Sequence, residues 1–484
     1  MTNNYDESTS KFTSRREFLK LLGLGPTALG LSALGGIVLP QNVLADCEPP
    51  GNPGTPKAWG FDCRPIRPRR PASSLSSSEI TKLKNAYQAM RDLDTSDPND
   101  PRGFQRQANI HCWYCSEITP ASTKRVHFNA QFLPFHRAYL YFHERILGKL
   151  IGDMEFRLPY WDWDVASHRE IPSAYNSPNS VSNPLWNSTR EMSTTEELPD
   201  EDVGEDVMEA ALSPDAFPEF GDDGILENTA HGSVHVDVGG EDGDMSYFET
   251  AAKDPIFYAH HGNVDKVWSD WNKASPTHTN PTTTTFLNLS WNFFDENKVW
   301  RKITAAQVLD HETKLRYTYG PSRLSELLPC IIRWTPIKGD WKVSRTLKLA
   351  PAARQSIERV LDQGGRARLH FKDMVVPMDK SAVYRMYSSA DAARRDSGPG
   401  SDGYLGTFPV VLDKRGGGHS MGTGHKPTRS LTLNISRKNR EKITRFQQAP
   451  AQIFYVERGV KDNVRKVTQV TAGDVFFSIA EMEK

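Results

Sequence analysis

Cysteine is scarce in this sequence, with five residues among 484. So few thiols exclude a small fold held together by a dense set of disulfides. Neither sign of charge is in excess, since 59 lysine and arginine residues stand against 60 aspartate and glutamate residues. This balance, without a concentrated basic patch, argues against a nucleic-acid partner. We also find no internal repeat, which argues against a repeat architecture.

One long apolar stretch, Leu21 to Leu39, lies near the N-terminus. It follows Ser14-Arg15-Arg16-Glu17-Phe18-Leu19-Lys20 and precedes the small-residue site Val43-Leu44-Ala45. This order predicts a twin-arginine signal peptide, cleavage near Ala45, and a periplasmic or secreted product. The partner at that stage would be the twin-arginine export machinery, and we expect no stable membrane insertion after cleavage. An uncleaved membrane anchor is the alternative, because the apolar stretch is long enough.

Six histidines, each in aromatic and apolar sequence, fall into two groups of three along the chain: His111, His127 and His136, then His231, His235 and His261. Neutral imidazole suits copper, zinc, iron or nickel, and the thiolates or carboxylates of iron–sulfur and calcium sites are missing from these segments. Two sets of three imidazoles therefore predict two metal ions, with copper as the leading candidate.

The second group has helical spacing. His231 and His235 are four residues apart, so both project from one face of a helix. His261 lies in DPIFYAHHGNVDKVW, where Asp254 and Pro255 can open a helix. On that helix His261 shares an inward-facing stripe with apolar residues, whereas His260 points elsewhere and is expected either to support the metal ligands from behind or to be a packing histidine.

The first group needs a break in the helix. Nine residues separate His127 from His136, which is half a turn out of phase on a continuous helix. Pro134 is tolerated in a first helical turn, so His136 is expected on the helix and His127 in the segment before it. His143 is in phase with His136 and is a rival ligand, although a histidine at the rim of an aromatic core is the favoured interpretation.

The segments around these histidines resemble the copper-A and copper-B segments of tyrosinases and plant-type polyphenol (catechol) oxidases. The two metal regions occur in the family's order. The segments that carry the resemblance are QANIHCWYC, VHFNAQFLPFHRAYLYFHERIL, ENTAHGSVH, DPIFYAHHGNVDKVW, LPYWDWD at Leu158 to Asp164, and Tyr317-Thr318-Tyr319. The C-terminal region is similar to the family's shielding domain, so the resemblance covers nearly all of the chain beyond the leader, as expected of a bacterial member with such a leader.

The resemblance implies a dinuclear type 3 copper centre. Copper A would be held by His111, His127 and His136, and copper B by His231, His235 and His261. In the family such a pair of ions uses O2 to oxidise ortho-diphenols to ortho-quinones and reduces O2 to water. Small phenols and O2 are therefore the expected partners, and a copper chaperone is a possible one.

Four further residues acquire roles from the resemblance. Cys115 matches the cysteine that forms a thioether with the second copper-A histidine, here His127; a buried thiol or half of a disulfide is the alternative. Glu227 aligns with a glutamate that holds a water near copper B, against a plain helix-surface carboxylate. Gly232 replaces the asparagine thought to favour monophenol hydroxylation, so diphenol oxidation is expected to dominate. Phe248 matches an aromatic gate over copper A, with core packing equally open.

The same resemblance and the residues around it suggest further pairings. Arg137 and Asp265 could form a buried ion pair that ties the two metal helices together. Plant-type enzymes have two N-terminal disulfides, and here the favoured pair is Cys63 with Cys112, while the partner of Cys47 stays open. Cys330 is expected to be a buried thiol.

The expected fold class is a mainly α catalytic domain, a helical bundle that holds the dicopper site, followed by an all-β, sandwich-like C-terminal domain. Alternating residues in 368–376, 430–436 and 452–457 predict strands, and 78–93 predicts a helix. The acidic segment 191–209 is expected to be a solvated excursion, and the Gly-rich segment 416–425 a mobile loop or a transient Cu(I) site. The predicted divisions are a signal peptide over 1–45, an irregular arm over 46–77, the tyrosinase-type catalytic domain over 78–320, a linker with the cleavage region over 321–345, and a β shielding domain over 346–484.

The expected function is that of a latent polyphenol or catechol oxidase that favours diphenols over monophenols. The resemblance implies latency, because in plant enzymes the C-terminal domain covers the active site until it is cut away. A tyrosinase-type monophenol oxidase and an ortho-aminophenol oxidase use the same centre and stay open as alternatives. A haemocyanin-like oxygen-binding protein and a noncatalytic copper protein are less favoured, because export and a removable cover suit an enzyme better than a carrier.

Overall fold

All described residues belong to one compact part of the chain. By contacts the chain divides into the units 1–46 and 47–484. The computed structural model describes residues 47, 54–60, 62–116, 125–320, 331–337, 350–363, 365–413, 428–435, 452–460 and 464–482. The predicted leader, Cys330 and the Gly-rich segment 416–425 lie outside these residues. Within the described part, no helix is both long enough and apolar enough to cross a bilayer.

Helices dominate the N-terminal part of this unit. Within the described residues, seven helices are eight residues or longer: α1 (Ser77–Ser96), α2 (Phe104–Cys115), α3 (Phe132–Leu150), α4 (Glu205–Leu212), α5 (Gly232–Gly239), α6 (Ile256–Ala274) and α7 (Pro351–Asp362). Shorter helical segments span Ala72–Ser74, Ala166–His168, Ser173–Asn176, Asp200–Val203, Phe217–Gly221, Glu227–His231, Asp244–Ser246, Ala251–Lys253, Thr284–Leu287, Ala305–Val308 and Ala390–Arg395.

The ends of the long helices follow local sequence rules. At the start of α1, Ser76 and Glu79 form a reciprocal capping box, in which each side chain accepts the other residue's backbone N–H. Pro255 directly precedes α6, as the sequence predicts. Pro134 is the third residue of α3, where its missing N–H breaks no helical hydrogen bond.

Thirteen strands form the sheets of the described residues: β1 (Lys57–Ala58), β2 (Arg67–Arg69), β3 (Ser290–Phe294), β4 (Trp300–Thr304), β5 (Tyr317–Tyr319), β6 (Ile331–Ile337), β7 (Arg366–Val375), β8 (Ala382–Tyr387), β9 (Tyr404–Val410), β10 (Thr428–Ile435), β11 (Phe454–Glu457), β12 (Thr468–Gln469) and β13 (Asp474–Met482). The C-terminal strands make two four-stranded antiparallel sheets with the orders β10-β7-β13-β6 and β12-β11-β8-β9.

The two C-terminal sheets share one apolar core, which makes them a sandwich. Phe371 and Leu433 from one sheet lie in the same buried cluster as Met386 and Phe408 from the other. Helix α7 contributes Ile357 to that cluster. The predicted fold class is thus confirmed, although this domain contains helices and is not purely β. The expected linker at 321–345 also contains β6, which pairs with β13.

The N-terminal arm is irregular, as predicted, and is anchored by two short parallel pairings of β1 with β4 and β2 with β5. The predicted disulfide is wrong. Cys112 is bonded to Cys47, with their Cα atoms 5.3 Å apart, and Cys63 is free and exposed. Cys112 is buried on α2, so the disulfide holds the part of the arm that carries Cys47 against this helix.

The acidic segment is not a solvated excursion throughout, which corrects the sequence-based expectation. Asp202 and Glu209 are buried and form ion pairs with arginines of the sandwich. Arg458 contacts both Asp202 and Asp237, and the latter lies on α5. These buried pairs join the helical part to the sandwich, because each buried carboxylate needs its guanidinium partner.

Candidate metal centre

The first histidine group comes together from three elements. His111 lies on α2 and His136 lies on α3, while His127 comes from the loop before α3. All three are buried, and their ring centroids are 5.0 to 5.7 Å apart. As predicted, His136 lies on the helix that contains Pro134 and His127 lies in the segment before it. The two rings are therefore neighbours, which one continuous helix would not allow.

The second group is built on two helices. His231 ends the short Glu227–His231 turn, and His235 follows on α5 with its ring centroid 4.8 Å from that of His231. The turn is broken at Thr229, whose φ of −128° and ψ of −106° are not helical. His261 joins from α6, with its ring 5.1 Å from His231 and 5.4 Å from His235.

The two groups form a single site. The rings of His136 and His261 are stacked, with centroids 4.2 Å apart and planes at 10°. His127 and His231 face each other across the site at 5.8 Å. Two metal ions held by these sets would therefore be close neighbours.

Hydrogen bonds fix the orientation of most of the rings. In five of the six histidines Nδ1–H donates to an oxygen: His111 to Phe248 O at 2.8 Å, His127 to Glu227 Oε1 at 2.8 Å, His136 to Phe132 O at 2.8 Å, His231 to Glu227 O at 3.3 Å and His235 to Met245 O at 2.8 Å. A neutral imidazole that donates from Nδ1 carries a lone pair on Nε2. These oxygens therefore select the tautomer that binds a metal through Nε2.

Most of the Nε2 atoms that carry these lone pairs have no hydrogen-bond partner among the described residues. Those of His111, His127, His136 and His231 are buried without a hydrogen-bond partner. The Nε2 atoms of His235 and His261 are 3.2 Å apart, although His235 offers a lone pair there. Buried, unpartnered nitrogen atoms are costly unless a cation occupies the space between them, so the donor set fits metal ions that accept neutral imidazole.

Burial also keeps the rings uncharged. It lowers the pKa of His111 to about 3 and that of His235 to about 4. The pKa values of the other four ligand candidates lie well below the usual range for the same reason. Protons therefore compete little with metal ions for these nitrogen atoms at neutral pH.

His260 and His143 behave differently from each other. His260 lies in the second group, with its ring 4.8 Å from that of His235, so the expectation that it points elsewhere is wrong. Its Nδ1 accepts a hydrogen bond from Trp163 Nε1 at 3.1 Å, and its Nε2 has no partner among the described residues. His143 stacks on Tyr258 at 3.7 Å and bonds Tyr87, which confirms its place in the aromatic core.

Glu227 contacts both halves of the site. Its buried carboxylate accepts from His127 Nδ1 and, with both oxygens, from the Phe128 N–H at 2.9 and 3.0 Å. Its backbone oxygen accepts from His231. It is therefore not a helix-surface carboxylate. Burial raises the pKa of Glu227 well above its usual range, while the Phe128 N–H lowers it.

Cys115 lies in the first group as a buried thiol. Its Sγ is within 4.8 Å of the ligand nitrogen atoms of this group, that of His127 included. It forms no disulfide. The predicted thioether to His127 stays a prediction, and the two side chains are neighbours as that bond requires.

Phe248 and Gly232 mark the face where the sandwich covers the site. The Phe248 ring lies 4.6 Å from that of His127 by centroids, and its N–H donates to Leu412 O at 3.3 Å. A Cβ atom at Gly232 would lie 2.7 Å from Pro409 Cγ, so this glycine allows strand β9 to approach closely. Phe248 and Gly232 thus lie between the histidine groups and the C-terminal sandwich.

A buried ionic cluster holds the two metal helices together, as predicted. Asp265 Oδ1 on α6 accepts from Arg137 Nε on α3 at 2.5 Å. Asp265 Oδ2 also accepts from Tyr317 and Tyr319 at 2.5 and 2.6 Å and contacts Arg69 at 3.3 Å. Sequence reasoning did not include Arg69, because nothing in its local sequence distinguishes it from the other arginines of the arm.

Sequence reasoning also missed the residues that orient the rings. Most of the oxygens that accept from Nδ1 belong to the backbone, at Phe132, Met245 and Phe248, so no residue type marks them. Glu227 was identified only by resemblance, and for a different contact. Two local signals exist, the four-residue spacings of Phe132 with His136 and of Glu227 with His231, which match a helical turn.

Two family models match the chain. Residues 101–219 and 213–274 match the common central domain of tyrosinase, and residues 280–328 match the polyphenol oxidase middle domain. These matches include all six histidines and the Tyr317–Tyr319 strand. Together with the geometry above, the two histidine groups are consistent with a type 3 dicopper centre.

Individual relatives of the chain are polyphenol and catechol oxidases. The chain is 34% identical over 302 residues to the latent form of a chloroplastic polyphenol oxidase of Prunus armeniaca, a match that covers 54% of this chain and 49% of the relative. It is 34% identical over 284 residues to a chloroplastic catechol oxidase B of Solanum tuberosum, covering 50% and 47%. The chain spans about half the length of these relatives. A solved structure of latent aurone synthase has the same fold, with a TM-score of 0.66 at 22% identity over 90% of this chain and 94% of that one.

Proposed function

We propose that the chain belongs to the tyrosinase and plant polyphenol oxidase family, whose domain models match residues 101–274 and 280–328, and that it oxidises ortho-diphenols to ortho-quinones with O2 as the electron acceptor. Two diphenols would release four electrons and four protons, which reduce one O2 to two water molecules. The observation that carries the proposal is the convergence of buried, unpartnered imidazole nitrogens from both histidine groups on one site.

Copper bound by the two histidine groups would supply the electron transfer between phenol and O2. The surrounding residues prepare that chemistry. The Nδ1 hydrogen bonds keep five of the six rings in the orientation that presents Nε2, so little rearrangement is needed when the oxidation state of the metal changes. The aromatic residues around the rings, Phe132 and Phe257 among them, exclude bulk water.

Glu227 is the proposed proton acceptor for the incoming phenol, through a bound water or directly. A carboxylate beside the ligand groups can act as a general base toward a phenol. The hydrogen bond to His127 places the carboxylate beside the copper-A group, and its backbone oxygen bonds the copper-B residue His231. Glu227→Gln should lower kcat at saturating catechol and leave two copper ions per chain.

Diphenol oxidation is proposed to exceed monophenol hydroxylation, because Gly232 offers no side-chain amide to polarise a water held by Glu227. Oxygen uptake with 4-methylcatechol and with 4-methylphenol tests this, since the two substrates differ by one hydroxyl group. A monophenol rate that exceeds the diphenol rate would contradict the preference. Reversible oxygen binding without turnover of either compound would instead favour an oxygen carrier.

We propose further that the chain is made as a latent precursor. Three contacts from the sandwich support this: Pro409 against Gly232, Leu412 with Phe248, and Arg429 against Phe128. Since β6 belongs to the sheet, the cut is proposed before Ile331. Mild proteolysis, mapped by mass spectrometry, should raise the turnover of catechol. Full activity of the uncut chain would contradict latency.

Export by the twin-arginine route is proposed from the sequence alone. N-terminal sequencing of the mature protein should begin at Asp46. Replacing Arg15 and Arg16 by lysine should keep the protein in the cytoplasm, and replacing Lys11 by arginine serves as the matched control. Unchanged export of the double lysine variant would reject the assignment.

A further inference from the structure

The C-terminal sandwich places a cation, Arg429, beside the metal site. Arg429, on β10 of the sandwich, lies with its guanidinium carbon 3.6 Å from the centroid of the Phe128 ring. Phe128 directly follows the copper-A histidine His127 and has a φ of +57°, a conformation uncommon for a bulky residue. Both oxygens of Glu227 accept its N–H, so the platform under the guanidinium is fixed to the metal site.

This platform adjoins Phe248, the aromatic residue beside the copper-A group. The rings of Phe128 and Phe248 meet edge to face with centroids 6.1 Å apart. Phe248 in turn lies 4.6 Å from the ring of His127. The guanidinium of Arg429 is therefore one aromatic ring removed from the residue that covers the copper-A group.

Carboxylates complete the surroundings of the guanidinium. Burial lowers the pKa of Arg429, and the negative charges of Asp223 and Glu227 oppose that shift. Asp223 is held in place by Asn228 Nδ2 at 2.9 Å and by the Ser430 N–H at 3.4 Å. One cation of the helical part, Arg125, also lies near Arg429.

An aromatic face next to carboxylates is the arrangement that binds organic cations. We infer that Arg429 occupies the position of a substrate's cationic tail, so that the uncovered enzyme prefers ortho-diphenols with a short alkylammonium tail over neutral and anionic ones. This inference rests on the proposed diphenol oxidase function. It assigns to Phe128 and Asp223 the recognition of the tail, while the diphenol ring lies toward the histidines.

The test uses three catechols that differ in the charge of the tail: dopamine, 4-methylcatechol and 3,4-dihydroxyphenylacetate. Removal of the resident cation from the full copper-loaded chain by Arg429→Ala, or removal of the sandwich from the parent chain by mild proteolysis, should each raise kcat/KM for dopamine about tenfold relative to 4-methylcatechol. Neither should do so for the acid. Adding Asp223→Asn to this variant should remove most of the preference. Lys372→Ala, an exposed cation elsewhere on the sandwich, is the control and should leave the ratio unchanged.

A second measurement does not depend on oxidation. Phenethylamine should raise the midpoint of thermal unfolding of the Arg429→Ala chain, whereas phenylacetate should not. Arg429→Met, which keeps most of the side-chain volume, gives the same comparison if the alanine variant does not fold. Equal effects of the two compounds, or equal kcat/KM for dopamine and 4-methylcatechol, would overturn the inference. If phenethylamine binds selectively but no catechol is oxidised, the site for the cationic tail stands and the proposed oxidase function fails.

Discussion

Replacing Asp265 by asparagine should destabilise the protein far more than one lost ion pair at the surface. The carboxylate is 3% exposed and contacts the guanidinium groups of Arg137 and Arg69, which are buried as well. Asparagine keeps the shape but removes the charge, so the buried Arg137 loses its ion-pair partner, while Arg69 keeps only its pair with Glu144. Breaking a buried pair in this way costs about 3 to 5 kcal/mol.

The matched control is Glu155→Gln. Glu155 pairs with Arg67 at 2.9 Å, but their side chains are 53% and 47% exposed. Exposed pairs of this kind contribute about 1 kcal/mol or less. Urea unfolding of both variants, followed by fluorescence in parallel with the parent chain, compares the two. If Asp265→Asn shifts the midpoint no more than Glu155→Gln, the reasoning from buried charge is wrong.

Acid gives an independent check on the same carboxylate. Burial raises the pKa of Asp265, but Arg137 and Arg69 outweigh it and hold the pKa at about 2. Because the folded pKa lies below the unfolded value of about 3.9, the stabilisation is present above pH 4 and is lost as the pH falls from about 4 to 2. The parent chain should lose stability in this window, and the loss should be smaller in Asp265→Asn.

Four further outcomes are expected. Gly232→Ala should raise the catechol turnover of the uncut chain, because its Cβ would lie 2.7 Å from Pro409 Cγ and push the cover away; unchanged latency would contradict this. If the thioether forms, the intact mass of the parent should lie two hydrogens further below the mass calculated from its sequence than the intact mass of Cys115→Ser lies below its own calculated mass. His143→Phe should retain two copper ions per chain, and loss of one would make it a ligand. Arg458→Met should make the sandwich more sensitive to protease in parallel digestions, since it loses buried ion pairs.

Local periodicity was enough to find most of the site. Helical spacing predicted the pairing of His231 with His235, and the position of Pro134 predicted that His127 and His136 come from different elements. Both inferences depend on interactions within a few residues, which the sequence displays directly. The ion pair of Arg137 with Asp265 was a geometric guess that the structure confirms.

Long-range partners were beyond the sequence. Arg458 and Asp202 are 256 residues apart, so the acidic segment gave no sign that its charges are neutralised by the sandwich. The pairing of Cys47 with Cys112 depends on the path of the arm, which spacing does not determine. The prediction for His260 was wrong because helical phase gives only the direction in which a side chain leaves its own helix, α6. It does not show that His235 on the neighbouring helix α5 lies beside His260.

Hydrogen bonds orient the imidazoles, which lie beneath the sandwich domain that contacts both Phe248 and Gly232. An ion that approached the finished, closed molecule would meet this lid first. Metallation must therefore precede closure or wait for a transient opening, and the order in which chain folding, ion uptake and lid docking occur becomes part of how the protein matures.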